Sequence, residues 1–411
     1  MPQAMPGFGV AVTGLGLVTP AGIGVDEVWR RVLSGEPTAA PDPALEGMPV
    51  DFSCRVPGFD PDRELGRRAA WRLDRSSQLA VVALREALRD SGLDPSTWDG
   101  ARVGVVIGTA LGGVQTYEAQ QRELDSSGVG AVSPLLVPMS APNMVAGYLA
   151  MECGASGPNL VTATACASGA TAIGTARELL RGGRCDVVIT GGVDAPITRT
   201  MIAGFTRMGA LSRRTSDPRA ASRPFDTARD GFVAGEGAAV LVLERNHDAR
   251  VRGARVHGLI SGYGASADAH HATTPDPSGA AAERAVRSAL EDAGLSAHDV
   301  DHVNAHGTST KLNDVTEARL VRGVFGDGVA VTSTKGVTGH ALGAAGAIEA
   351  VCTLLALRDD VVPPTANLDS LDPEVEVDVV AKEPRPGRLR AAVSNSFGFG
   401  GQNAVLVVTR S

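Results

Sequence analysis

The sequence predicts an α/β protein whose sheets carry helices on both faces, and three observations lead there. Short β-branched apolar runs alternate with longer helical patterns along most of the chain, the order expected of βαβ units and parallel strands. A length of 411 residues is more than one core usually organises and points to two domain-sized halves. With 43% hydrophobic, 20% charged and 4% aromatic residues, the composition excludes a disordered or fibrous chain.

Gly9 to Leu17 reads as the first strand. Gly14-Leu15-Gly16 invites a dinucleotide reading, which fails because the third glycine is missing and Pro20 interrupts the helix such a loop requires. Asp26 to Leu33 fits a short helix, and Pro-rich Glu36 to Asp62 reads as loop. Arg67 to Asp90 has the amphipathic spacing of one helix, with Arg67, Arg68, Arg72 and Arg75 on its early turns. Val103 to Ile107 is a strand pattern. So is Leu160 to Ala165, read as a central strand that turns into a core helix from Ala167, where ten residues pass without a charge. Asp186 to Thr190 is a strand closed by Gly191-Gly192, and Ala238 to Leu243 another. The basic segment Arg245 to Arg255 marks a boundary, giving halves of residues 1–255 and 256–411. The second half restarts the alternation. Strands are expected at Val256 to Tyr263, Val300 to Asn304, Val329 to Ser333, Ala391 to Ser394 and Ala404 to Thr409. Helices are expected at Ala281 to Ala293, Asp314 to Val324 and Ala344 to Leu357.

A net charge of -8 argues against non-specific nucleic-acid binding. The five cysteines, at 54, 153, 166, 185 and 352, are scattered and odd in number, without a C-x-x-C pair or a Cys/His cluster at ligand spacing. The expectation is no metal and a reducing cytoplasm. Met1 to Pro20 lacks the basic start of a signal peptide, and Glu349 breaks the apolar run Ala341 to Leu357, so neither a targeting signal nor a membrane span is expected.

Cys166 falls where the strand from Leu160 gives way to the core helix. Free N–H groups and the dipole of a helix start favour negative charge, which would lower the thiol pKa and stabilise an oxyanion beside the sulfur. A free cysteine also packs well as a small hydrophobe, so this stretch alone does not decide. His306, in Asn304-Ala305-His306-Gly307-Thr308-Ser309-Thr310, and His340, closing Thr334-Lys335-Gly336-Val337-Thr338-Gly339-His340, both follow predicted strands among glycines and threonines. Ligands bind outside the carboxyl ends of strands in such sheets, where all three residues are expected. His247, His270, His271 and His298 lie in polar or charged connections and read as solvated. Lys335, if drawn inward, needs a counter-charge, and Glu349 on the following helix is the one at hand. Asn395 to Asn403 sets Phe397 and Phe399 among glycines, a tight turn able to act as an aromatic gate.

Four stretches, Thr164 to Gly169, Asn304 to Thr310, Ser333 to His340 and Asn395 to Asn403, together resemble the signature regions of the β-ketoacyl-acyl carrier protein synthases. These are the decarboxylating condensing enzymes of the thiolase superfamily. Further similarity runs through Ala221 to Asp226, Asp230 to Gly237 and Val362 to Leu368, so the resemblance covers almost the whole chain in order.

The resemblance implies a thiolase fold, two β-α-β halves in a five-layer α-β-α-β-α sandwich, usually dimeric. It implies Cys166 as nucleophile, His306 and His340 as stabilisers of decarboxylation, and the N–H groups of Cys166 and Phe399 as an oxyanion hole. Lys335 and Glu349 would form an orienting ion pair. Thr308 and Thr310 would bind pantetheine, Leu111 would line the acyl tunnel, and Phe399 would gate it. Arg67, Arg68 and Arg72 match the surface where acidic acyl carrier protein docks. No cofactor is implied, since substrates ride on the carrier's phosphopantetheine. Lys311-Leu312-Asn313-Asp314 departs from the fatty-acid pattern toward the ketosynthases of type II polyketide synthases, whereas Phe397-Gly398-Phe399 keeps the fatty-acid gate. The partner would be a second copy or a chain-length-factor-like subunit. The alternative reading, that this chain is itself such a non-condensing subunit, is opposed by Cys166 and both histidines. A degradative thiolase would need a second cysteine near the C-terminus, and Cys352 lies inside a predicted helix.

Overall fold

The computed structural model describes residues 8–411. The reading of Met1 to Pro20 therefore falls partly, over residues 1–7, outside the described residues. Ten strands carry the architecture: β1 (Val10–Thr19), β2 (Val103–Gly108), β3 (Asn159–Thr162), β4 (Val187–Asp194), β5 (Gly237–Arg245), β6 (Gly258–Ala267), β7 (His302–Asn304), β8 (Ala330–Thr332), β9 (Ala391–Gly398) and β10 (Gln402–Thr409). In the first half they lie in the order β3-β2-β4-β5-β1 and in the second β8-β7-β9-β10-β6. Numbered within each half, these are one and the same order. The directions repeat as well, because the two inner pairings at β2 and β7 are parallel while β4, β5 and β1, like β9, β10 and β6, run antiparallel. The sheet is thus mixed, where alternation alone suggested parallel. The halves join through a short antiparallel β1–β6 contact at Val10 to Val12.

The principal helices are α1 (Val25–Ser34), α2 (Arg75–Ser91), α3 (Val114–Ser127), α4 (Met144–Cys153), α5 (Ser168–Arg181), α6 (Ala280–Ala293), α7 (Lys311–Phe325) and α8 (Ala345–Asp359). α5 and α8 touch strands of both halves and form the central layer, α2 and α4 cover the first half outside, and α6 packs on β6 and β10 of the second. This is the duplicated five-layer thiolase architecture. Every residue of α8 from Ala345 to Leu357 is buried, as expected for a helix apolar on all sides.

Three local expectations change. Arg67 to Asp90 is two helices: Arg67–Ala70 ends before Trp71, and Asp74 caps α2 by accepting the Ser76 N–H at 2.9 Å. Arg75 turns inward and pairs with buried Glu236 at 2.7 Å. β4 runs through Gly191-Gly192 to Asp194, because these glycines admit neighbouring backbone: a Cβ on Gly191 would lie 1.9 Å from the Ala239 carbonyl oxygen. Among the described residues β3 is the edge of the sheet, with only β2 beside it, not a central strand. No helix among the described residues is long and apolar enough to cross a membrane.

Candidate active site

Cys166 sits in a 3-10 turn, Ala165–Ala167, between β3 and α5. The turn is sharp enough that Ala165 takes φ 49°, a left-handed value rare for a side-chain-bearing residue. Ser168 pins it, its hydroxyl accepting the Thr164 N–H at 2.9 Å and donating to the Ala165 carbonyl at 2.7 Å. Gly398 lets β9 approach, since a Cβ there would lie 2.6 Å from the Thr164 oxygen. This closeness brings the Phe399 N–H to the Cys166 sulfur.

The two histidines come from the other half. Glu317 on α7 accepts the N–H groups of His306 and Gly307, both at 2.8 Å, and the Asn395 amide at 3.1 Å, fixing the loop after β7. The His340 N–H donates to the Val233 carbonyl at 2.8 Å. The two imidazoles meet edge to face with centroids 5.4 Å apart, and Phe232 and Phe397 flank them. Ligand-type atoms of Cys166, His306 and His340 all lie within 4.8 Å of one another.

Behind them Lys335, 1% exposed, forms an ion pair with buried Glu349 and donates to the His306 carbonyl at 2.6 Å. Its Nζ is 3.5 Å from His306 Nδ1. An ammonium facing Nδ1 makes that nitrogen the acceptor and leaves the ring proton on Nε2.

The electrostatics follow from burial. Removal from water pushes the Cys166 thiol up to about 12; the Lys335 charge and the Phe399 N–H pull it down, and Asp194 and Glu349 add to the rise. A thiol lowered by the helix start is therefore not what the resting site holds, because desolvating the thiolate outweighs the local dipoles. Burial, and then the neighbouring Lys335 charge, hold His306 and His340 well below the ordinary histidine value, so both are neutral. Burial pushes Glu349 up to about 7, opposed by Lys335.

All of this opens on one cavity of about 670 Å³, lined by Cys166, His306 and His340 together with Leu111, Thr308, Thr310 and Phe399. Arg67, Arg68 and Arg72 are exposed and lie outside its walls, and His247, His270, His271 and His298 are exposed as expected. One sulfur and two imidazoles could also ligate a thiophilic cation, but a lysine ammonium against one ring opposes positive charge there. Sequence reasoning missed two carboxylates, Glu317 and Asp194. Asp194 had a usable signal, as it ends an apolar strand on the same carboxyl side as Cys166 and His306.

A duplicated thiolase-type fold with a cysteine from one half facing two neutral histidines from the other defines a thioester-processing condensing enzyme. Models for the N-terminal and C-terminal domains of β-ketoacyl synthases match residues 8–249 and 257–369. The chain is 44% identical over 404 residues to a 3-oxoacyl-[acyl-carrier-protein] synthase 2 of Synechocystis, covering 97% of both chains. Among solved structures it is similar to a β-ketoacyl synthase from Burkholderia phymatum, with TM-score 0.92, 34% identity and coverage of 98% and 99%. It is likewise similar to the ishigamide ketosynthase/chain length factor, with TM-score 0.91, 34% identity and the same coverage. The chain belongs to the β-ketoacyl synthase family, and its activity is that of a ketosynthase, an acyltransferase.

Proposed function

We propose that this ketosynthase joins an acyl thioester to malonyl-acyl carrier protein by decarboxylative Claisen condensation, with residues 1–255 supplying the sulfur and residues 256–411 the imidazoles. The single observation that carries the reading is the meeting of Cys166, His306 and His340 within 4.8 Å on the wall of one cavity.

Cys166 attacks the incoming acyl thioester, its S–H bond breaking as a carbon–sulfur bond forms. The carrier thiolate leaves and takes up a proton, so the acyl-enzyme step is neutral overall. The N–H groups of Cys166 and Phe399 stabilise the tetrahedral oxyanion. Malonyl thioester then enters; its carbon–carboxylate bond breaks, carbon dioxide departs, and the electron pair delocalises onto the thioester oxygen. Neutral His306 and His340 donate N–H bonds to that oxygen, and Lys335 keeps the His306 proton on the cavity side. The enolate carbon attacks the acyl group and expels the Cys166 thiolate, which takes up one proton from solvent and restores the resting thiol, so the decarboxylative step consumes one proton overall. Thr308 and Thr310 hold the pantetheine arm, Leu111 bounds the acyl chain, and Phe399 gates access between the half-reactions.

The relatives are named for action on acyl carrier protein and one structural neighbour for pairing with a chain length factor; we assign both kinds of partner to this chain, with Arg67, Arg68 and Arg72 facing the acidic carrier. The pathway is fatty-acid or type II polyketide synthesis. Five free cysteines suit a reducing cytoplasm. Incubation with acyl-carrier protein should add one acyl mass to Cys166, and Cys166→Ala should abolish it. A wild-type chain that takes no label at any acyl length, alone or with a coexpressed partner, would leave the non-condensing subunit as the better reading.

A further inference from the structure

Asp194, at the end of β4, is fully buried and has no cationic partner among the described residues, yet each of its oxygens accepts two hydrogen bonds. Oδ1 takes the Thr109 hydroxyl at 2.8 Å and the Leu111 N–H at 3.1 Å. Oδ2 takes the Ala110 N–H at 2.9 Å and the Gly343 N–H at 2.7 Å. The first three donors belong to the loop after β2, and the fourth belongs to the turn after His340. One carboxylate thus ties a loop of the first half to a loop of the second. The turn needs such a hold, because Leu342 has φ 46°, a conformation costly for a leucine.

Leu111 and Leu342 both line the cavity that Cys166 enters, and they pack in the same apolar cluster as its sulfur. The peptide N–H of Leu111 and that of the residue following Leu342 end on the same carboxylate. We propose that Asp194 is a positioning residue for acyl-chain selection: it fixes the separation of Leu111 and Leu342 and with it the room left for the acyl chain. This rests on the condensing reading above, but concerns a residue that touches neither substrate nor the reacting atoms.

Replacing the carboxylate by an amide tests it asymmetrically. In Asp194→Asn the NH₂ group settles toward Thr109, whose hydroxyl can turn to accept, and the carbonyl oxygen keeps Ala110 and Gly343. The Leu111 N–H alone loses its acceptor. The experiment measures kcat/KM for acylation of Cys166 with a ladder of successively longer acyl-carrier thioesters, on the full-length chain. Discrimination between neighbouring chain lengths in a rigid apolar pocket is typically worth roughly 10-fold or more, and the amide should flatten the best-to-worst ratio by about that factor. A carboxylate that merely supported the fold would lower every length in parallel.

Gly343→Ala approaches the same device from the other side, since its Cβ would lie 2.5 Å from Asp194 Oδ2 and 2.6 Å from the Ala110 nitrogen. It should redraw the length profile too, and it carries the test should the amide variant not fold. Profiles that keep their shape in the folded variants overturn the proposal while leaving the ketosynthase reading intact. A wild-type chain acylated by no thioester removes the condensing reading, and the proposal falls with it.

Discussion

Cys166 works in a pocket whose charges are few and identifiable. Desolvation raises the thiol most, Lys335 pulls it down, and Asp194 and Glu349, the latter paired with Lys335, add to the rise. A thiol raised above its ordinary value is almost wholly protonated at neutral pH, so its thiolate fraction grows about tenfold with each pH unit. Alkylation of Cys166 by iodoacetamide, followed peptide by peptide, should therefore rise log-linearly from about pH 7 to beyond pH 9 without levelling. A plateau near neutrality would show a thiolate already present and the burial argument wrong. The acylation step then depends on the thioester bringing its own electrophile into the cavity, with the proton moving as the bond forms. At this scale the three reactive side chains were legible, because each stands at a strand end among small residues. The sense of the thiol shift was not, since it depends on how much of the rest of the chain closes over the sulfur, and no local spacing encodes that.

Strand β7 shows what elements hide. Its period of two sends Val303 into the outer apolar cluster and Asn304 toward α8, where its amide meets the Glu349 carbonyl at 3.4 Å. His302 shares the Asn304 face, is fully buried, and has no hydrogen-bond partner for either ring nitrogen among the described residues. Burial holds it down to about 3. A base with a depressed folded pKa is neutral in the native state, while the unfolded chain binds a proton below the ordinary value. Its contribution is therefore intact above that value and is lost as pH falls from there toward 3. At pH 5 the loss is about 2 kcal/mol. His302→Leu, a volume-compatible apolar replacement, should gain about that much over wild type between pH 7.5 and pH 5 in urea unfolding. An equal gap at both pH values would mean that His302 is hydrated or paired and does not resist protonation. The strand itself was legible from Val300 to Asn304, yet the histidine attracted no notice because its neighbours lack glycine. The glycines of β4 misled in the opposite sense: they read as a stop, whereas they admit the backbone of β5 and of the Gly343 turn.

On the scale of the whole molecule, the repeat of strands and helices was legible in order, but the pairing was not. Identical strand orders in the two halves arise from contacts between distant segments, which a local pattern does not carry. The misreading of β3 has the same origin and a physical use. Apolar, β-branched residues look alike whether the same chain or another covers them, and Leu160-Val161 reads as buried although β3 is an exposed edge. The segment around it behaves likewise. No residue of α3 is buried, and Tyr117, Val129, Val137, Met151 and Leu160 are all large apolar residues open to solvent. An unpaired strand edge beside such a patch is a template for another chain, and a twofold partner would let β3 meet its counterpart in a continuous sheet. Dimerisation through this face is thus expected, with a second copy or a chain-length-factor-like subunit. Leu160→Lys places a charge on that edge without disturbing the β2 pairing, so the variant should elute as a monomer in light scattering while keeping the wild-type circular dichroism. A wild-type chain that stays monomeric at micromolar concentration, both alone and coexpressed with a chain-length-factor-like protein, would show that this apolar face needs no cover.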